Sequence, residues 1–180
     1  MRKLFKATLR AVAGAAVALS MAPVAQAQDD ENRIRIIGSY ARVGLSTDDH
    51  DFQLLGKVDT GADSTSIDAR EIEEFERDDQ EWVRFQVPLG EDDERMELEL
   101  PVVDTVTIVG AGDEDSERLV VEMDLCVGDV RLPTEVNLVS RDGLDYRLLV
   151  GREYLVRGGF LVNPAQSDDV RPLCGADGED

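Results

Sequence analysis

Residues 57–68 read KVDTGADSTSID, and the triplet Asp59-Thr60-Gly61 at their centre closes a strand-like run over residues 54–58. Two readings compete. In the first the triplet is a turn, the commonest use of an aspartate followed shortly by a glycine. In the second it presents a carboxylate at the tip of a strand-end loop. A chain of 180 residues contains any given triplet a few per cent of the time at ordinary residue frequencies, so its surroundings must decide.

The physical sense of the catalytic reading is specific. A peptidase that uses aspartate needs a carboxylate on a loop and a glycine that lets backbone amides approach it. It also needs a threonine whose hydroxyl can lock two such loops together. Two carboxylates held face to face cannot both ionise, so they share one proton and hold a water between them. One takes a proton from the attacking water and the other protonates the developing oxyanion, which is general acid-base catalysis without a covalent intermediate. The chain carries Asp-Thr-Gly once. A dyad therefore calls for a second copy, with Asp59 and its symmetry mate on the two-fold axis of an isologous homodimer. A two-lobed single chain would need a second triplet and about twice the length.

A second segment bears on the choice. Residues 144–162 read LDYRLLVGREYLVRGGFLV, an apolar strand ending at Gly151-Arg152 and turning into a short helix. Alone it reads as a buried strand followed by a capped helix. Together with DTGADS it resembles the pairing of catalytic loop and apolar-apolar-Gly-Arg segment in retropepsins. The likeness extends through IIGSYARVGL (36–45), LLGKVDTGADSTSIDA (54–69), EWVRFQVPL (81–89) and EVNLVSRDGLDYRLLVGREYL (135–155). In order and spacing these resemble the bacterial retropepsin-like aspartic peptidases that have carried the label of ATP-dependent zinc proteases, over residues 36–163.

That resemblance implies an all-β, retropepsin-like closed barrel with one or two short helices, and aspartic endopeptidase activity on a peptide or protein substrate. It implies Asp59 as the catalytic residue, with Thr60, Gly61, Ala62 and Asp63 completing its loop and Gly151 and Arg152 beside it. It also implies a glutamate-ligase-like or transglutaminase-like membrane partner. Many members carry arginine at the fifth position of the loop, where this chain has Asp63. Asp63 either braces the loop, for instance by pairing with Arg152, or is plain turn chemistry. The family's older label finds no support: His50 is the only histidine and no phosphate-binding lysine loop is present, so neither metal, ATP nor another cofactor is expected. The other class of reading is a catalytically silent module that binds an extended peptide or a partner on the same barrel.

The remaining sequence fits an all-β domain. Apolar alternation with a period of two runs through residues 34–37, 52–58, 82–89, 96–102, 106–109, 119–125, 127–132 and 135–139. Helical signals are confined to residues 69–77 and 152–156. The acidic stretch 91–94 reads as a hairpin tip and 110–117 as another exposed loop, and the loops at 90–95 and 110–117 are the candidates for a flap over substrate. His50 lies in a Thr-Asp-Asp-His-Asp loop and reads as a surface residue. It leaves no Ser-His-Asp triad with a nucleophile elbow.

Residues 1–27 combine four cations with a short apolar stretch ending in Ala-Gln-Ala, the pattern of a cleavable signal peptide. The mature domain is expected over 28–164, periplasmic or secreted, with a polar tail at 165–180. Cys126 and Cys174 are the only cysteines and are expected to form one disulfide in an oxidising compartment, a catalytic or metal-binding thiol being the other reading. The formal charge is −20, and about −24 without the first 27 residues, which disfavours nucleic acid as a partner. Lys57 is the only lysine after residue 6, although arginine is abundant.

Overall fold

The computed structural model describes residues 33–90, 94–108, 116–166 and 171–174. Eleven strands and one short helix follow in order: β1 (Arg35–Ile37), β2 (Tyr40–Ser46), β3 (Asp51–Val58), β4 (Thr65–Asp68), β5 (Arg70–Arg77), β6 (Gln80–Pro88), β7 (Arg95–Ile108), β8 (Ser116–Val127), β9 (Val130–Val139), β10 (Leu148–Val150), α1 (Arg152–Arg157) and β11 (Phe160–Val162). Six of them close a barrel in the order β2-β3-β10-β4-β9-β8, and β8 returns to β2. The seam is short, with Gly44, Leu45 and Ser46 facing Cys126, Leu125 and Asp124.

Alternation drives this closure. Along β3 every second residue is buried, so Phe52, Leu54 and Val58 point inward while Asp51, Gln53, Leu55 and Lys57 point out. Along β2 the inward set is Ala41, Val43 and Leu45. Strands β8 to β10 add Val121, Leu125, Val136, Leu138, Leu148 and Val150. Each large apolar side chain removed from water contributes about 1.5–3 kcal/mol, which is the main force holding the ring shut. Tyr154 of α1 reaches the same core through its hydroxyl. It donates to the Val130 carbonyl at 2.8 Å and accepts from the Val127 amide at 3.1 Å.

Strand β7 belongs to two layers. Residues up to Pro101 pair with β6, and from Val102 onward the strand pairs with β8, with a register shift between Val102 and Asp104. The sequence suggests two strands, 96–102 and 106–109. They are one strand bent at a bulge beside a proline, which cannot donate to the ladder. Residues 91–93 and 109–115, most of the expected hairpin tip, the expected exposed loop and the candidate flap, lie outside the described residues, as do residues 1–32; the strands flanking each stretch pair antiparallel.

Two further sequence expectations are corrected. Residues 69–77 form no helix: Arg70–Arg77 is strand β5, antiparallel to β6 at the open end of the sheet. Its glutamates favour a helix locally, but cross-strand contacts override that preference. Phe75 lies 6.5 Å from Trp82, the Arg77 guanidinium stacks 4.5 Å from the Trp82 ring centroid, and Glu73 pairs with Arg84. Residues 127–132 are not one strand either. Gly128, with φ of 57°, makes a two-residue turn with Asp129 that separates β8 from β9. The helix expected near 152–156 is present as α1, and the molecule is an all-β barrel with this single short helix among its described residues.

The Gly128–Asp129 turn collects both ends of the described chain. Arg33 and Arg35 pair with the Asp129 carboxylate, and the Leu173 amide donates to the Gly128 carbonyl at 2.7 Å. The expected disulfide joins Cys126 to Cys174, and Arg131 donates to the Cys174 carbonyl. His50 is exposed in the β2–β3 turn. A small parallel sheet of β1 and β11 completes the architecture.

Candidate active site

Val58 is the last inward residue of β3, and Asp59 follows where the strand leaves the barrel. The Asp59 amide donates to the Val150 carbonyl of β10 at 3.0 Å, so the loop starts from a hydrogen-bonded frame. Its carboxylate is about one third exposed. The Gly61 amide donates to Oδ1 at 2.9 Å, and the Lys57 ammonium stands 3.5 Å from Oδ2. Thr60 and Gly61 lie exposed at the tip of the loop.

The far side of the loop is fastened to α1. A helix of six residues leaves its first amides without partners inside the helix, and no side chain caps this one. Instead the Arg152 amide donates to the Ala62 carbonyl at 2.7 Å and the Glu153 amide to the Asp63 carbonyl at 3.1 Å. The Gly151 amide donates to Thr65 Oγ1 at 3.2 Å. Asp63 and Arg152 also form a side-chain ion pair. The strand-Gly-Arg segment and the Asp-Thr-Gly loop thus meet in space despite about 90 residues of separation.

Beneath the loop lies a polar network that the sequence did not single out. Asn137 of β9 donates to Ser64 Oγ and to the Thr65 carbonyl, both at 2.9 Å, and accepts from Arg118 at 3.3 Å. Arg141 is buried and donates to Ser66 Oγ and to the Tyr146 carbonyl. Asp68 has no exposed side-chain surface. It accepts from the Arg141 amide at 2.7 Å and pairs with Arg70 and Arg147. Burial opposes the charge on Asp68, but hydrogen bonds from Arg70, the Arg141 amide and Arg147 outweigh it and hold the carboxyl below its ordinary range. Burial pushes the Arg141 guanidinium down, against the opposing pull of the Asp68 and Asp59 charges. The signal for this network was the run Ser64-Thr65-Ser66-Ile67-Asp68: from Thr65 onward it is buried at every residue, so its polar members must find partners inside.

Chemically, the loop offers one carboxylate, pre-oriented by an amide and accessible from solvent, on a rigid support. Among the described residues no group of three or more His, Cys, Asp or Glu side chains could hold a metal ion.

Comparison with known proteins agrees with this architecture. Residues 36–171 match the model of the RimB-like family, described as retropepsin-like aspartic endopeptidase RimB. Proteins named probable alpha-L-glutamate ligase are similar as well. One from Parasynechococcus marenigrum is 33% identical over 122 residues, covering 67% of this chain and 26% of that protein. One from Shewanella pealeana is 33% identical over 116 residues, covering 63% and 25%. The chain thus spans about a quarter of the length of these relatives. A crystal structure of a Legionella pneumophila protein of unknown function superposes with a TM-score of 0.61 at 30% identity, covering 73% of this chain and 94% of the other.

Proposed function

The chain belongs to the RimB-like family of retropepsin-like aspartic endopeptidases, and from that premise we propose that it hydrolyses peptide bonds with a water activated by Asp59 and the Asp59 of a second copy. The observation that carries the reading is the Asp59 carboxylate itself: at a strand end, one oxygen held by the Gly61 amide, on a loop clamped by α1. In an isologous dimer two such loops meet, with Thr60 at each tip. The paired carboxylates share one proton because both cannot stay ionised at close range. The ionised member takes a proton from water as the water oxygen attacks the peptide carbonyl carbon. The protonated member gives its proton to the carbonyl oxygen, and a later transfer to the amide nitrogen releases the amine.

We further propose that the protein is exported and works in the periplasm or outside the cell. The basic and apolar character of residues 1–27 and the Cys126–Cys174 disulfide support this placement. We also propose a glutamate-ligase-like or transglutaminase-like membrane partner, as the family resemblance implies.

The test compares the purified protein with its Asp59→Ala variant on a diverse peptide library from acidic to neutral pH, with solution mass measured in parallel. Cleavage lost in the variant, with a bell-shaped pH profile and a dimeric mass, is the expected result. Equal cleavage by both proteins would end the proposal. No cleavage by either, from a stable monomer, would leave the barrel as a peptide-binding module.

A further inference from the structure

Lys57 is the only lysine among the described residues, although arginine occurs throughout them. Its place is not arbitrary. Residues i and i+2 of a strand share a face, and Lys57 is the outward residue of β3 two positions before Asp59. The ammonium lies 3.5 Å from Asp59 Oδ2, while Oδ1 is taken by the Gly61 amide at 2.9 Å. One oxygen thus accepts a backbone hydrogen bond, and the other faces the cation of an ion pair. Directly across the strands Lys57 faces Tyr40 of β2 and Leu149 of β10. Neither offers a competing negative charge.

An arginine at this position would behave differently. Its planar fork engages both oxygens of a carboxylate at once, in competition with the Gly61 amide for Oδ1. An ammonium on a flexible stem is a point charge that takes one oxygen and leaves the other to the backbone. A chain that otherwise relies on arginine uses lysine where a carboxylate must be held by a single oxygen.

We propose that Lys57 is a positioning residue for Asp59, fixing the carboxylate by Oδ2 while the Gly61 amide fixes it by Oδ1. The inference rests on the reading of Asp59 as the catalytic carboxylate. In a symmetric pair each Asp59 brings its own Lys57, so both carboxylates arrive oriented, and two ammonium groups offset the charge that would otherwise drive the loops apart. Lys57 touches the Asp59 carboxylate but neither substrate nor the attacking water in this scheme. Its removal lowers the rate of the chemical step and leaves substrate binding unchanged.

Two measurements on the full chain test this. Steady-state cleavage is compared for the unaltered protein, Lys57→Met and Lys57→Arg. The expected result is a kcat lower by about 10-fold to 100-fold in Lys57→Met with KM unchanged, and no restoration by Lys57→Arg despite its charge. A kcat in Lys57→Met equal to that of the unaltered protein, or full activity in Lys57→Arg, overturns the proposal. The second measurement does not depend on catalysis. In protein labelled with 15N-lysine, the Lys57 Nζ resonance is assigned by its loss in Lys57→Met, and it is expected to move in Asp59→Asn. An unmoved resonance overturns the proposal. A moved resonance in a protein without Asp59-dependent cleavage upholds the ion pair and places the failure with the peptidase reading.

Discussion

A Cβ added to Gly151 would stand 2.4 Å from both the carbonyl carbon and the oxygen of Ser64, so the corner after β10 and the loop after Asp59 touch backbone to backbone. No side-chain rotation relieves such a contact, because the obstacle is main chain.

Gly151→Ala is therefore expected to push the loop away from α1. Overpacking of this kind costs about 1–3 kcal/mol, and the Gly151 amide loses its alignment with Thr65 Oγ1. Urea unfolding gives the stability loss, and cleavage assays should show activity falling further than stability explains.

The Asp63–Arg152 ion pair sits on an exposed surface, with more than half of each side chain accessible. Exposed pairs contribute about 0.2–1 kcal/mol, so Asp63→Ala and Arg152→Ala are expected to unfold almost as the unaltered protein does. The backbone bonds from Arg152 and Glu153 to the loop remain in both variants. A double-mutant cycle on denaturation midpoints should return a coupling inside that small range, and a coupling of several kcal/mol would contradict this description.

Asp68 presents the opposite case. It is fully buried among arginines, and Asp68→Asn leaves their charges without the carboxylate. Breaking a buried pair in this way costs about 3–5 kcal/mol. The pH dependence follows from its lowered carboxyl value. A carboxyl that ionises more readily folded than unfolded stabilises the fold above its ordinary value of 3.8, and that contribution is lost as pH falls below it through the folded-state value. The stability gap between the unaltered protein and Asp68→Asn should be widest near neutral pH and narrow below about pH 3.8, as equilibrium denaturation at a series of pH values would show.

Tyr154→Phe removes one oxygen from the core. The Val127 amide then loses its acceptor and the Val130 carbonyl loses a donor. An unsatisfied buried group costs about 1–3 kcal/mol. Amide exchange should report faster opening at the β8–β9 turn before any global effect.

Legibility in the sequence followed physical scale. Strands such as β3 and β6 were readable because one face is buried and one is wet, which writes a period of two into the residues. The loop at Asp59 and the corner at Gly151 stand out only together, through their resemblance to retropepsins, because each alone also reads as an ordinary turn or helix start. Strand β4 was harder: all four residues are buried and two are hydroxyl-bearing, so no alternation marks it. Strand β5 reads as a helix in the sequence because its glutamates favour one in isolation, and only the partner strand reverses that preference. The Asp68 and Asn137 network joins residues some 70 positions apart, and pairing at such range leaves no local pattern.

The Gly128–Asp129 turn holds Arg33 and Arg35 on one side and Leu173 on the other. The folded unit thus takes in and releases its polypeptide at one spot on its surface. Such an arrangement would let the barrel be carried as a cassette within a larger protein, its two ends leaving together without parting the six-stranded ring.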